Sequence, residues 1–163
     1  MEIKKVTEIL KEEFSDKIRE TFVQFGDEIV VIQKDALHDV MGFLIKEPYA
    51  FTMLLDLTCV DFMGEDLRFE MVYHLFSIKN NQRIRIKCRL SEEDPVIDTL
   101  TVFWKNANWL EREVFDMFGV RFQDHPDLRR LFMYEGFEGH PLRKDYPLRK
   151  QQPIVPERSK DDD

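Results

Sequence analysis

Between Glu70 and Leu90 the chain alternates apolar and charged side chains so strictly that few folds can hold it. Reading outward from Asn80-Asn81, the spacing pairs Ser77, Leu75, Tyr73 and Met71 with Ile84, Ile86, Cys88 and Leu90 on one apolar face. The other face sets Phe76, His74, Val72 and Glu70 against Arg83, Arg85, Lys87 and Arg89. A period of two over this length marks a half-buried antiparallel hairpin. Asn tolerates the positive φ that a two-residue turn requires, so the turn is placed at Asn80-Asn81. An apolar face this wide needs a covering layer. The basic face has two readings: a docking surface, or Arg and Lys stems laid over apolar atoms.

The covering layer is visible elsewhere in the sequence. Val6, Ile9, Leu10, Phe14 and Ile18 recur at helical spacing between charges. "TFVQF" and "EIVVIQ" read as a short hairpin around Gly26-Asp27. A second helix follows, with Asp35 as N-cap, Leu37, Val40, Met41, Leu44 and Ile45 as its apolar stripe, and Pro48 as its stop. "MLLDLTCV" suits a central strand and "TVFW" a last short one. A helix is expected from about Ala107 to Phe118, capped by Asn106 or Asn108 and ended by Gly119, with Ala107, Leu110, Val114, Met117 and Phe118 on one side. These elements predict an α+β fold, a two-layer sandwich of a mixed sheet with helices over residues 1–122. An extended arm and tail over 123–163 follow it.

Composition narrows the function. The chain has 163 residues, 43% of them hydrophobic, and a net charge of −8, which argues against non-specific nucleic-acid binding. Between Arg121 and Arg158 the balance reverses, with eight Lys/Arg against six Asp/Glu. Cys59 and Cys88 lie inside apolar runs without a CxxC spacing, so buried free thiols are expected rather than a cysteine-held metal or a disulfide. The charged N-terminus has no signal-peptide pattern, and no run approaches the ~20 apolar residues of a membrane span. Membrane contact is therefore expected only through a partner.

The sharpest cluster is "NWLEREVFDMFGVRF", which places Glu111, Arg112, Glu113 and Asp116 on one otherwise apolar helix. Arg112 and Asp116 stand at i,i+4, Glu113 and Asp116 at i,i+3, so these groups are neighbours. Buried carboxylates need cationic partners, for which Arg112, Arg121, Arg129 and Arg130 are the candidates. An ion-pair network is the expectation, ahead of acid–base catalysis. The Gly-rich phosphate loops, GxSxG and HExxH are all absent, and His74, His125 and His140 lack helical metal-ligand spacing. No catalytic, cofactor-binding or metal-ligating residue is assigned. A free-standing enzyme built on Glu113, Asp116 and His125 is the competing class.

Beyond Phe122 the regular signals cease. Pro126, Pro141, Pro147, Pro153 and Pro156 exclude long helices and central strands, yet Leu131, Phe132, Met133, Tyr134 and Phe137 are too apolar for a solvated tail. The segment 125–158 spans up to roughly 110 Å if fully extended. Aromatic, Arg and Pro residues are the materials of an interface that loses little entropy on docking. The arm reads as a clamp for a partner.

"EREVFDMFGVRFQDHPDLRRLF" (111–132) and "YEGFEGHPLRKDYPL" (134–148) closely resemble the 30-kDa, C-type subunit family of respiratory complex I. Phe132 departs from the pattern, standing where an aliphatic or small residue is more usual. The resemblance implies a peripheral subunit on the cytoplasmic side of the plasma membrane, in the hydrophilic arm of a proton-pumping NADH:quinone oxidoreductase. It implies no redox centre in this chain, with the iron–sulfur clusters, flavin, NADH and quinone held by other subunits. The partners implied are the quinone-site large subunit, of the D type, and iron–sulfur subunits of the B and I types. Carried over, the helix residues Glu111, Arg112, Glu113 and Asp116 pack near that large subunit. His125, Pro126, Asp127, Leu128, Arg129 and Arg130 lie in the arm that embraces it, with Gly139, His140, Pro141, Arg143, Lys144 and Asp145. The same likeness reaches membrane-bound hydrogenases and deazaflavin- or ferredoxin-dependent dehydrogenases, which stand as the alternative.

Overall fold

A computed structural model describes residues 5–153. Pro156 and Arg158, counted above with the arm, lie outside the described residues, as does the rest of 154–163. Five strands form one sheet: β1 (Ile18–Gln24), β2 (Asp27–Ile32), β3 (Met53–Asp61), β4 (Phe69–Ser77) and β5 (Gln82–Leu90), in the order β1-β2-β5-β4-β3. The β2–β5 pairing is parallel and the other three antiparallel, so the sheet is mixed as expected. Helices α1 (Val6–Glu13), α2 (Leu37–Leu44) and α3 (Ala107–Phe118) share one core with its inner face. Leu10, Val40, Met41 and Leu44 meet Ile32, Tyr73, Leu75, Ile86 and Cys88 there.

The β4–β5 hairpin keeps both expected faces, but its loop holds four residues, Ile78–Asn81, not two. Inner-face partners therefore shift by two, to Leu75–Ile84, Tyr73–Ile86 and Met71–Cys88. A shift of two preserves the faces; a shift of one would have inverted them. On the outer face the cations are engaged: Arg85 pairs with Asp27, Lys87 and Arg89 with Glu70, and Arg83 lies over Phe76. With Ile29 and Val72 buried beneath them, the stems-over-apolar reading describes this face.

Several expectations are corrected. Helix α1 stops at Glu13, and Ile18 begins β1 instead of closing a helical stripe. The first hairpin turns at Phe25-Gly26, at φ 53° and 89°, one residue earlier than Gly26-Asp27. Asp35 sits inside a 3-10 turn and makes no cap, while Ile45 is the C-cap of α2. "MLLDLTCV" is an edge strand: Leu54, Leu57 and Cys59 pack inward, leaving Leu55 and Val60 exposed, and a bulge at Leu54–Asp56 blunts the edge. "TVFW" is a pair of turns closed by Phe103 and Trp104 N–H on Leu100 O, because Leu100 and Trp104 are both drawn into the core. Two short strands had no sequence signal: β6 (Val96–Asp98) and β7 (Arg121–Gln123) pair in parallel and bring Ile97 and Phe122 to the core. Cys59 and Cys88 are free and buried, and burial pushes both thiols up to about 12.

Candidate functional site

Helix α3 forms where expected, with Gly119 at φ 77° as its stop. Ala107, Val114, Met117 and Phe118 are buried, but so are three charged residues: Glu111, Arg112 and Asp116. Glu111 points to the loop after β6, accepting Leu100 N–H at 2.7 Å and the Thr99 hydroxyl at 2.6 Å. Burial raises its pKa to about 7, against these two hydrogen bonds. Arg112 turns the other way, donating to Arg129 O at 3.1 Å and Arg130 O at 3.2 Å. Asp116 Oδ2 accepts three successive backbone N–H groups, from Leu131, Phe132 and Met133, at 2.8–3.0 Å, while Arg130 reaches Oδ1 at 3.2 Å. One side chain thus satisfies a backbone that no strand or helix satisfies. Glu113 alone of the four is exposed.

The arm lies against this scaffold. The His125 side chain is buried, and its Nδ1 accepts Asp127 N–H at 3.0 Å. A backbone N–H can only donate, so the proton sits on Nε2, which donates to Asn108 O at 3.2 Å, 3.7 Å from Glu111 Oε2. His140 takes the opposite tautomer, Nδ1–H donating to Asp116 O at 2.9 Å. Leu142 N–H then reaches Met117 O and Arg143 Nε reaches Phe118 O, so residues 140–143 finish the carboxyl end of α3. Arg143 also lies 4.9 Å over the Phe69 ring. At the far end, Arg68 binds Asp61 and Asp145 through paired hydrogen bonds of 2.7–3.0 Å, and Asp61 accepts Lys144 N–H. The Arg68 guanidinium holds both carboxyls below the usual range.

The arm also carries a partly exposed aromatic cluster. Tyr134 and Phe137 meet edge to face at 5.6 Å, and Phe137 and Tyr146 stack at 6.1 Å. Arg130 lies 5.7 Å over Phe137 and donates to Gly139 O.

Of the candidate residues, Glu111, Arg112, Asp116, His125, Arg130, Gly139, His140, Arg143 and Asp145 are engaged within the chain, and Leu128 packs on the core. Asp127 and Arg129 form an exposed pair. Glu113, Pro126 and Lys144 are exposed, and Pro141 is half-buried. Arg130 is the arginine of those considered that does pair with a carboxylate of α3. Glu113, Asp116 and His125, the set required by an enzyme, face three different surroundings. Sequence reasoning missed Asp61, Arg68, Thr99 and Asn108. Arg68 and Asp145 are 77 positions apart, and no local pattern links them. Among the described residues no group of three or more His, Cys, Asp or Glu is placed to hold a metal.

The buried titrating groups pull stability in opposite directions. Glu111 has its folded pKa raised, so its contribution is full below the unfolded value of 4.5 and is lost as pH rises through about 7. Burial lowers His125 and His140, so theirs is full above 6.5 and is lost as pH falls. Glu111→Gln keeps an acceptor for Leu100 N–H and removes the first titration. Melts from pH 5 to 8 should show the wild type losing up to about 3 kcal/mol relative to this variant. A parallel pH profile for the two proteins would disprove the assignment.

Fold and site together define an α+β domain whose buried charges hold an irregular C-terminal arm against one helix. Residues 30–152 match the family described as the respiratory-chain NADH dehydrogenase 30-kDa subunit, and the chain belongs to that family. The C-type subunit of the NADH-quinone oxidoreductase of Trichlorobacter lovleyi is 48% identical over 145 residues, 88% of this chain and 89% of that protein. Its counterpart in Geotalea uraniireducens is 45% identical over 139 residues, covering 85% and 84%. Among solved structures, the trypsin-resistant fragment (1–134) of Nqo5 superposes with a TM-score of 0.66 at 29% identity, covering 76% of this chain and 98% of that one. A chain of the membrane-bound sulfane sulfur reductase, an archaeal respiratory membrane complex, has the same fold at a TM-score of 0.71 and 23% identity, covering 89% and 87%. The chain is thus part of a multi-subunit, membrane-associated NADH-quinone oxidoreductase. Among its described residues no helix is long and apolar enough to cross a membrane.

Proposed function

We propose that this chain is a non-catalytic brace in the hydrophilic arm of its complex, on the cytoplasmic side of the plasma membrane. It holds the quinone-site large subunit and the B- and I-type iron–sulfur subunits in register for electron transfer to quinone. The clusters, flavin, NADH and quinone belong to those and other subunits. One observation supports this above the rest: the buried polar side chains of α3 are all occupied in shaping residues 125–145 and the loop after β6. The solved Nqo5 fragment (1–134) is trypsin-resistant, in keeping with a compact core for this fold. In the hydrogenase-type alternative the chain would play the same part beside a different donor protein, and co-purifying subunits distinguish the two.

Limited trypsin digestion of the free chain and of the native complex, followed by mass spectrometry, tests the proposal. Lys144, Arg149 and Lys150 are exposed, and cleavage there is expected first in the free chain. In the complex these sites should be protected at least tenfold. Equal cleavage in both states, or absence of the chain from the purified complex, would overturn the bracing role.

A further inference from the structure

Glu111 is fully buried, yet among the described residues no Lys or Arg stands within ion-pair distance of it. A row of hydroxyls lies beside its carboxyl instead. Thr99 Oγ1 donates to Oε2 at 2.6 Å, and Thr101 Oγ1 lies 3.0 Å from Thr99 Oγ1. Thr101 N–H also donates to Thr99 Oγ1, at 3.2 Å, which pins the two threonines together. Thr99 is buried; Thr101 is half-buried and precedes Val102, which is 67% exposed, so the row leads from the carboxyl to the protein surface. On its other side Oε2 lies 3.7 Å from His125 Nε2, whose proton goes to Asn108 O at 3.2 Å.

We propose that Thr101, Thr99 and Glu111 form a proton inlet, and that Glu111 passes its protonation state to the root of the arm through His125. A hydroxyl can donate one proton while accepting another, which is what a relay requires. With Glu111 ionised, Thr101 donates to Thr99 and Thr99 to Oε2. A proton from hydronium at the surface enters Thr101 Oγ1, the Thr101 proton passes to Thr99, and the Thr99 proton passes to Oε2. One O–H bond breaks in hydronium and one forms on Glu111. Both threonines end neutral with their hydroxyls turned about, and loss of the proton reverses each step.

His125 responds because its Nε2–H stands between two acceptors of Glu111 and Asn108. An ionised carboxylate is the stronger of the two, so ionisation draws the imidazole from Asn108 O toward Oε2, and protonation lets it return. His125 Nδ1 holds Asp127 N–H at 3.0 Å, so the start of the arm moves with the ring. The surroundings suit a change of state near neutrality. His38 from α2 donates Nε2–H to Thr99 O at 2.7 Å. Burial keeps the Tyr73 hydroxyl of β4 protonated, and Cys59, Cys88 and Asp98 act on Tyr73 more than on Glu111. Arg112, the next residue of α3, is turned to the arm carbonyls. Burial holds the Glu111 proton against Leu100 N–H, the Thr99 hydroxyl and the field of His38, bringing its pKa to about 7. The device is intrinsic to the free chain and independent of the bracing role.

The test uses the full chain in solution. A carboxyl infrared band, assigned by its loss in Glu111→Gln, should titrate near pH 7, and its rise after a rapid pH drop gives the rate of proton entry. Thr101→Val removes the outer hydroxyl at a half-buried position. It should leave the midpoint in place and slow entry at least tenfold, while Thr101→Ser should keep the wild-type rate. Thr101→Ala replaces the valine variant if melting shows that valine is not accommodated. The nitrogen-15 signals of the His125 ring and of Asp127 N–H should show a step at the Glu111 midpoint, absent from Glu111→Gln. Equal entry rates without the Thr101 hydroxyl would overturn the inlet. An Asp127 signal indifferent to the Glu111 titration would overturn the link through His125.

Discussion

Replacing Gly119 by alanine is expected to lift the arm off the end of α3 without changing a single charge. Gly119 has φ 77°, where an L-residue costs about 1–2 kcal/mol. A Cβ there would lie 2.5 Å from His140 Nε2 and 2.7 Å from an Arg143 guanidinium nitrogen. Both side chains must move, and with them go the hydrogen bonds to Asp116 O and Phe118 O. The combined loss is about 3 kcal/mol, enough to lower the melting temperature by roughly 6–12 °C in a chain of this size. Hydrogen exchange should show protection lost at 140–145 while β4 and β5 keep theirs. An unchanged exchange pattern at Leu142 would show that the arm is not seated by this contact.

Asp116→Ala should act as strongly from the other side. Its carboxylate is fully buried and serves three backbone donors and Arg130. Removing it strands those groups, at a cost of about 3–5 kcal/mol if the arm stayed in place. The cheaper response is local opening: residues 129–133 lift away and take water as their partner. The signature is therefore fast exchange at Leu131, Phe132 and Met133, and trypsin cleavage after Arg129 or Arg130. Asp116→Asn can keep its one oxygen on the three backbone N–H groups but then turns its NH2 toward the Arg130 guanidinium, two donors facing each other, so it should recover only part of the protection. The two sites share His140, which binds Asp116 O and touches Gly119. Their double variant should cost less than the sum. Full recovery by Asn would mean that the charge of Asp116 is immaterial.

The parts of this structure that were legible in the sequence are those governed by short periods. The β4–β5 faces, helix α3 and its glycine stop each follow from residues within one or two turns of each other. The charges of the same helix were legible as buried groups in need of partners, and Asp116 does pair with Arg130. What the sequence could not show is that Glu111 is satisfied by the loop after β6 and Arg112 by carbonyls of the arm. The parallel β6–β7 pair joins three-residue strands across an intervening helix, too short for any alternation to register. The apolarity of β3 suggested a central strand because composition records burial on a face and is silent about hydrogen bonding at an edge. Arg68 was invisible for the plainest reason: its value depends on Asp145, at the other end of the chain.

The carboxyl end of α3 has one more implication, for biosynthesis. Most helices are finished by residues adjacent to their last turn, but here the carbonyls of Asp116 and Phe118 wait for His140 and Arg143, 24 and 25 positions later. Those residues leave the ribosome well after the sheet and helices can have collapsed. A polypeptide stopped by a premature codon before Gly139 would keep its hydrophobic core and still display a raw helix end. A chain cut short before Gly139 would thus lack the groups that complete α3, whatever the state of its core.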